Sequence, residues 1–178
     1  EIGSGFSTAA MLDTIDEHSL STTITCIEPY SERLRGLMRP GDEKRVKIIE
    51  APVQEVPLGE FALLHAGDIL FIDSTHVLKT GSDVHYELFS ILPSLRPGVL
   101  IHFHDIQYPF EYPDLWIFDR QYSWNEAYAV RAFLMYNKKF RIRFMAGLFY
   151  SRGQDLIAPI FPAFNEGPGS SFWIEVVQ

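Results

Sequence analysis

Two apolar runs of the sequence end in side chains suited to acid–base or metal chemistry. The run "LFIDSTH" ends with Asp73 and His76, and "GVLIHFHDI" contains His102, His104 and Asp105. A neutral imidazole, whose unperturbed pKa is about 6.5, is the side chain best suited to accept a proton at neutral pH. Two carboxylates with an imidazole nearby suit a divalent ion such as Mg²⁺ or Mn²⁺. These residues are therefore candidates for proton transfer and metal binding.

A glycine-bearing stretch at the start of the sequence forms a second candidate site. "EIGSGFST" places Gly3 and Gly5 where the backbone can turn sharply and approach a ligand, with a helix following at once. Glu28, at the end of "TITCIE", lies roughly 20 residues further on, where a carboxylate in a nucleotide-binding fold binds ribose hydroxyls. The dinucleotide fingerprint has a third glycine where this sequence has Thr8. An adenosine ligand without a diphosphate is therefore favoured.

Apolar runs that alternate with helical periodicity predict the elements that position these residues. The pattern is that of a doubly wound, mostly parallel α/β sheet with helices on both faces. The predicted strands are 22–28, 45–50, 69–73, 98–104, 140–146 and 172–177. The predicted helices are about 7–18, 31–38, 58–65, 82–95 and 124–137, and 153–170 is predicted to be a long loop.

The predicted topology brings the reactive residues together. Ligands of such sheets bind outside the carboxyl ends of the strands, so Asp73, His76, His104 and Asp105 should converge on one rim. His102 and His104 should point to the same side of their strand, and the deeper His102 is expected to be a core histidine.

Composition limits the classes of protein and partner. The 178 residues predict a single domain, 1–178, with a sizeable core. The net charge of −8 argues against nucleic-acid binding. Cys26 is expected to be a buried strand residue. Because it is the single cysteine, a disulfide within the chain is excluded, which suits a reducing compartment. No apolar run approaches the roughly 20 residues that span a bilayer, so we expect no membrane association and a cytoplasmic location.

Four motifs in order carry a resemblance to a known family. "EIGSGFST", "CIEPY", "LFIDSTH" and "LRPGVLIHFHDI" resemble a class I S-adenosylmethionine-dependent methyltransferase, nearest to the family that includes the macrolide sugar O-methyltransferases and more distantly to catechol O-methyltransferase. The resemblance extends from residue 1 to about 145, and "SSFWIEVV" is similar to that family's final antiparallel strand. It implies a Rossmann-like sheet whose usual N-terminal strand and helices lie outside this sequence.

The resemblance also implies roles for individual residues. The residues implied to bind S-adenosylmethionine are Glu1, Gly3, Gly5, Glu28, Gln54 and Asp73. For Gln54, which follows the predicted strand 45–50, a plain surface loop position is an equal alternative.

The same resemblance implies a metal site and a base. A divalent ion is implied at Asp73 and Asp105 with His104, and His76 is implied as general base because the sugar-methylating relatives carry a histidine there. Catechol-type relatives have Asp-Asn, and sugar-type relatives have an acid before the Asp, whereas His104 and Ile106 flank Asp105 here. Whether a metal is required, and which one, is therefore left open.

The segment 108–124 is rich in aromatic residues and predicts the acceptor side of the site. Tyr112, Trp116 and Tyr122 would form a wall for a small organic or sugar acceptor, or else cover the sheet as a packing loop. The implied reaction is direct displacement of the sulfonium methyl group by a substrate oxygen. A homo-oligomeric state is left open.

Three other functions would each explain part of the sequence. A nicotinamide-dependent oxidoreductase explains the glycine turn and Glu28, but not Asp73, His76 and Asp105 together. A metal-dependent hydrolase or oxygenase could use the H-x-H-D cluster but gives Glu28 no role. A non-catalytic binding domain that kept the fold is the third alternative.

Overall fold

The fold is a mixed sheet flanked by helices. A computed structural model describes residues 1–157, 159–160, 162, 167 and 169–178. Its strands are β1 (Ile24–Ile27), β2 (Val46–Ile49), β3 (Ile69–Ile72), β4 (Leu100–Phe103), β5 (Phe140–Met145) and β6 (Phe172–Val176).

Helices connect most of the strands. They are α1 (Phe6–Glu17), α2 (Glu32–Leu37), α3 (Leu58–Phe61), α4, α5 (Glu126–Leu134) and α6 (Ala146–Ile157). The helix α4 is continuous through Asp83–Tyr86, a wider π-helical turn Glu87–Ile91 and Leu92–Ser94. Ser82 caps its first turn, because the Ser82 side chain accepts a hydrogen bond from the His85 amide. A π-helical turn, Leu115–Asp119, lies in the aromatic segment.

The strand order produces the predicted doubly wound sheet with its antiparallel last strand. Pairing gives β1–β2 in parallel and the series β3–β4–β6–β5, in which β3 and β4 are parallel and β6 is antiparallel to both neighbours. Ile2 joins the two sets through parallel bridges to Ile27 and Ile72. Residues 1–3 therefore lie between β1 and β3.

Alternating side chains divide the apolar interior into two clusters. Cys26 of β1 packs with Leu12 and Leu34 of α1 and α2, whereas its neighbour Ile27 belongs to the larger cluster that includes Leu88 of α4. Successive residues of a strand point to opposite faces, so the sheet is covered by helices on both sides, as predicted. Cys26 is buried, as expected.

The main departure from the predicted elements lies after β5. Residues 153–157 were predicted to belong to a loop, but they form the last part of α6. Of that predicted loop, residues 158, 161, 163–166 and 168 lie outside the described residues. The remaining predicted elements are present and differ at their ends, most of all at α3, which ends at Phe61, and α5, which begins at Glu126. Within the part of the chain that is described, none of the helices combines the length and apolarity needed to cross a bilayer.

Candidate active site

The glycine turn contacts the end of β3 directly. Gly3 has a φ of 72°, and a Cβ built on it would lie 1.9 Å from the carbonyl oxygen of Asp73. The Asp73 amide donates to the Ile2 carbonyl at 2.9 Å, and the Gly3 amide donates to the Ile27 carbonyl at 3.1 Å. Only glycine fits here, because both the positive φ and the close approach exclude a side chain.

Glu28 follows β1 and faces the same turn. Its carboxylate accepts hydrogen bonds from the Ser4 amide at 3.2 Å and the Tyr30 amide at 2.9 Å. Arg33 donates to the Ser4 carbonyl at 2.8 Å, and its Nε would lie 2.8 Å from a Cβ on Gly5, whose φ is 149°. The turn is thus bordered by an acid and a guanidinium.

The side chains of Glu1 and Thr8 stabilise the glycine turn through hydrogen bonds. The Glu1 carboxylate accepts from the hydroxyls of Ser7 and Thr8, and Thr8 accepts from the Gly5 amide at 3.2 Å. Thr8 is fully buried. Thr8, which stands where the dinucleotide fingerprint has its third glycine, therefore links Gly5 to Glu1 by hydrogen bonds. Both carboxylate oxygens of Glu1 are hydrogen-bonded within the protein.

Gln54 lies apart from these contacts. It is exposed in the short turn Val53–Glu55 after β2, and its amide donates to the Gly81 carbonyl at 3.0 Å. The hydrogen bond connects the segments that follow β2 and β3. Its predicted contact with adenine stays a prediction.

The carboxyl ends of β3 and β4 bring the predicted reactive residues together. The Nε2 atom of His76 lies 3.5 Å from Oδ1 of Asp73 and 3.9 Å from Oδ2 of Asp105, and Nε2 of His104 lies 3.6 Å from Oδ1 of Asp105. The predicted convergence of Asp73, His76, His104 and Asp105 on one rim is therefore observed in the geometry.

His76 is enclosed almost completely. It is 5% exposed, has a φ of 61° and packs against Trp124 with ring centroids 4.2 Å apart. Its Nδ1 atom lies 2.7 Å from Oε2 of Glu126. Burial lowers the pKa of His76, but Asp73, Glu126 and Asp105 outweigh it and raise the pKa to about 10. The surroundings of the ring therefore favour its protonated form, although burial also raises the pKa of its partner Glu126.

The carboxylates of the rim differ in their surroundings. Burial raises the pKa of Asp73, yet His76 and the charges of His104 and Arg33 hold its net pKa below the usual value. Asp105 has a φ of 59° and accepts a hydrogen bond from the Ser170 hydroxyl at 2.5 Å. Both acids can therefore present charged oxygens to a ligand.

The predicted metal site is not formed as a compact cluster. Within the described ranges, no group of three or more His, Cys, Asp or Glu side chains has the arrangement of a metal site. His104 is the outermost member of the predicted set, with a side chain that is 44% exposed. A metal at Asp73, His104 and Asp105 therefore stays a prediction.

His102 is the core histidine that its position predicts. It is 4% exposed, stacks on Phe71 at 4.1 Å and contacts the Ser171 hydroxyl through Nε2 at 2.9 Å. Burial, aided by the charge of His104, lowers its pKa to about 4. The ring is neutral at physiological pH and packs edge-on against Trp173, with ring centroids 4.9 Å apart.

The aromatic segment covers His76. Tyr122 stacks on Trp124 at 4.5 Å, and Trp116 meets Trp124 edge-on at 5.2 Å. Tyr112 is 5% exposed and its hydroxyl accepts from the Ala127 amide at 2.9 Å, whereas Tyr122 is 38% exposed. Tyr112 therefore belongs to the core and Tyr122 reaches the surface, and an acceptor wall stays a prediction.

Sequence reasoning missed Asn125 and Glu126, which hold His76 in place. Asn125 and Glu126 donate their amides to the His76 carbonyl at 3.0 and 3.2 Å. The Asn125 side chain accepts from the Leu78 amide at 2.6 Å and donates to the Leu78 carbonyl at 3.1 Å. The only local signal is an amide and an acid at the start of a predicted helix, which usually indicate a cap rather than a site.

Comparison with known proteins identifies the class. Residues 1–106 match the methyltransferase domain family, and the chain belongs to that family. Its sheet is that of the class I S-adenosylmethionine-dependent methyltransferases, as the sequence motifs predict.

Solved structures share the fold. An assigned O-methyltransferase from Klebsiella pneumoniae is 18% identical with a TM-score of 0.55, over 99% of this chain and 71% of that one. The SAH-bound methyltransferase PaMTH1 of Podospora anserina is 19% identical with a TM-score of 0.53, over 99% of this chain and 70% of that one. No curated protein sequence matches the chain.

Proposed function

We propose that this protein is an S-adenosylmethionine-dependent O-methyltransferase that acts on a small-molecule or sugar hydroxyl, with His76 as general base. One observation carries the proposal: the glycine turn and the reactive rim are in direct contact. Gly3 lies against the backbone of Asp73, and Nε2 of His76 lies 3.5 Å from the Asp73 carboxylate. A cofactor held at the turn would therefore border the groups that could activate an acceptor.

The reaction is a direct displacement. The acceptor oxygen attacks the sulfonium methyl group, a C–O bond forms, the C–S bond breaks with its electron pair going to sulfur, and S-adenosylhomocysteine leaves. The hydroxyl proton passes to Nε2 of His76. Positioning supplies most of the acceleration and the base lowers the cost of forming the oxyanion. Cys26, buried in the α1–α2 cluster, takes no part.

The cofactor site uses the acid and glycines of the turn. Glu28 would bind the ribose hydroxyls, since its two amide donors orient the carboxylate towards the turn. Gly3 and Gly5 would allow close approach of the ligand. Glu1 contributes indirectly, by holding the start of α1 through Ser7 and Thr8.

A divalent ion would be held by Asp73 and Asp105, with His104 at the outer side. The donor chemistry fits, because Asp73 and Asp105 present carboxylate oxygens at the same rim, 3.5 and 3.9 Å from Nε2 of His76. When bound, such an ion would polarise the acceptor hydroxyl and offset the charge of the two aspartates. Asp73 and Asp105 contribute, together with Glu126, to the raised pKa of His76, so neutralising the two aspartates would lower that pKa and favour the free base.

The acceptor side is the aromatic surface of Tyr122 and Trp124. Trp124 packs against His76 and Tyr122 stacks on Trp124, and flat apolar surfaces with few polar groups suit a sugar or a small organic ring. The resemblance to macrolide sugar O-methyltransferases and the assignment of the Klebsiella pneumoniae protein support transfer to oxygen. The net charge of −8 disfavours a nucleic-acid acceptor.

Calorimetric titration tests the cofactor. Chelator-treated protein is titrated with S-adenosylmethionine and with NAD, each with and without Mg²⁺ or Mn²⁺. We expect S-adenosylmethionine to bind, NAD to give no heat, and Asp73→Asn to abolish the response to metal while Asp155→Asn, an exposed helical control, keeps it. Failure of the intact protein to bind S-adenosylmethionine would overturn the proposal, and binding of NAD alone would favour the oxidoreductase.

Methyl transfer tests the base. Radiolabelled S-adenosylmethionine is incubated with a panel of deoxysugars, glycosides and catechols, and transfer to each is counted. His76→Ala should reduce transfer by about 100-fold or more, because general bases contribute 10²- to 10⁴-fold. His85→Ala, an exposed histidine of α4, is the matched control and should transfer at the rate of the unaltered protein. Equal rates for both variants would exclude the proposed base.

A further inference from the structure

Glu126 is a buried acid whose closest charged partner is a single imidazole. It is 1% exposed, begins α5 and contacts Nδ1 of His76 from 50 residues away in the chain. An ionised carboxylate is costly to bury unless it is paired and hydrogen-bonded. Its second oxygen, Oε1, has no hydrogen-bond partner among the described residues. The acid is therefore directed at His76 rather than at a wider network.

The backbone around this contact is fixed independently. Asn125 holds the Leu78 amide and carbonyl through its side chain, and the His76 carbonyl accepts two amides from α5. His76 has a left-handed φ of 61°, a conformation that a side chain adopts only where its surroundings impose it. The loop after β3 is consequently attached to the start of α5 at His76 and at Leu78.

Trp124 limits the remaining freedom of the ring. Its indole lies 4.2 Å from the imidazole, tilted by 47°, and is itself stacked on Tyr122. With one ring face covered and Nδ1 held, the direction of Nε2 is determined. It faces Asp73 and Asp105, which lie 3.5 and 3.9 Å away.

We propose that Glu126 is a positioning residue that keeps a proton on Nδ1 of His76 and so directs Nε2 towards the acceptor. An imidazole uses one nitrogen as a base only while the other carries the proton, and a carboxylate on Nδ1 imposes that arrangement. The proposal rests on the proposed role of His76 as base. It extends that role by assigning the two nitrogens separate tasks.

Another buried acid does not fulfil this task. Glu87 of α4 is fully buried and accepts from the Ser74 hydroxyl at 3.2 Å, without an imidazole in contact. Burial, followed by the charge of Glu126, raises the pKa of Glu87 well above its usual value. Burial raises the pKa of Glu126 as well, but there the hydrogen bond to His76 and the charge of His76 act in the opposite direction. Glu126 is the acid in hydrogen-bond contact with the ring.

Nuclear magnetic resonance tests the assignment without an acceptor. Protein with ¹⁵N-labelled histidine should give a strongly downfield, slowly exchanging Nδ1–H signal, identified as that of His76 because His76→Gln removes it. Glu126→Ala should lose the signal, and Glu126→Asp should keep a weakened one. Glu32→Gln, an exposed acid of α2, should leave it unchanged. A Glu126→Ala protein that unfolds cooperatively yet keeps the signal would overturn the proposal.

Kinetics separate positioning from a purely structural role. With the panel compound that accepts methyl fastest, Glu126→Gln should lower kcat by about 10- to 100-fold while the KM for S-adenosylmethionine changes little, and Glu126→Asp should recover part of the loss. An unchanged kcat, or an equal loss in kcat and cofactor affinity, would overturn the positioning role. Absence of transfer by the unaltered protein would instead count against the proposed function, and the resonance result would still decide the role of Glu126.

Discussion

Gly3 and Asp73 are in backbone contact, so the candidate cofactor turn and the reactive rim form one unit. A Cβ on Gly3 would lie 1.9 Å from the Asp73 carbonyl oxygen, and the neighbouring Ile2 carbonyl accepts the Asp73 amide. A structural change in the glycine turn must therefore also affect Asp73, whose carboxylate lies 3.5 Å from Nε2 of His76.

Substitution of Gly3 tests this coupling. Gly3→Ala should lower the free energy of unfolding by at least about 2 kcal/mol, because alanine adds left-handed strain and a clash with backbone. It should also abolish S-adenosylmethionine binding. Gly36→Ala in α2, where no atom lies within 4 Å of the new Cβ, should stabilise by about 0.5–1 kcal/mol. Urea unfolding and calorimetry measure both variants, and equal effects at the two positions would contradict the coupling.

Thr8 is expected to matter more than its neighbour Ser7. Thr8→Val keeps the shape but leaves the Gly5 amide without its partner and removes the hydroxyl that donates to Glu1, which should cost about 1–3 kcal/mol. Ser7→Ala removes one bond at a less buried position and should cost less. Denaturant unfolding of the two variants compares them. A larger loss for Ser7→Ala would mean that Thr8 does not close the turn.

Cys26 is expected to be unreactive while the protein is folded. It is fully buried, and burial together with the negative charge of Glu1 raises its pKa to about 11. At pH 8 the thiolate fraction should therefore be lower than in the unfolded chain by about 100-fold or more. The rate of reaction with a chromogenic disulfide is measured with and without guanidinium. Because Cys26 is the single cysteine of the sequence, the signal reports on this residue alone. Rapid labelling of native protein would show that the α1–α2 cluster opens readily.

His102 should make stability depend on pH. Its folded pKa of about 4 lies below the unfolded value of 6.5, so both states are neutral above pH 6.5 and stability is then fully present. As the pH falls towards 4, the unfolded chain binds a proton that the buried ring refuses, and stability should drop by about 3 kcal/mol. His102→Phe removes this contribution and keeps the stacking on Phe71. Urea unfolding measures the free energy of unfolding of the unaltered protein and of His102→Phe between pH 7 and 4. The same pH dependence in both proteins would refute the prediction.

The sequence predicts the parts of the site that follow from strand ends, and misses those that depend on distant contacts. Asp73 and Asp105 close two apolar strands, so their convergence follows from parallel pairing. Glu126 could not be found in this way, because an acid at a helix start is ordinarily solvated and its burial arises from His76, 50 residues earlier.

The start of the predicted loop 153–170 is wrong, because residues 153–157 continue α6. Glycine weakens a helix, yet α6 contains Gly147 and Gly153, and both pack closely. A Cβ on Gly147 would lie 2.9 Å from Tyr108, outside the helix, and one on Gly153 would lie 3.1 Å from the ring of Phe149, within it. Helix propensity is a local quantity, and tertiary packing such as that against Tyr108 overrides it.

The insertion of β6 between β4 and β5 has a consequence for the order of folding. Ser170 and Ser171, just before β6, bond to Asp105 and His102, partners 65 and 69 residues earlier in the chain. During synthesis the residues of the glycine turn emerge early. The contacts of Asp105 and His102 with Ser170 and Ser171 can form only after these two serines have been synthesised. The candidate active site is thus assembled late, and loop-closure entropy over that span slows its completion.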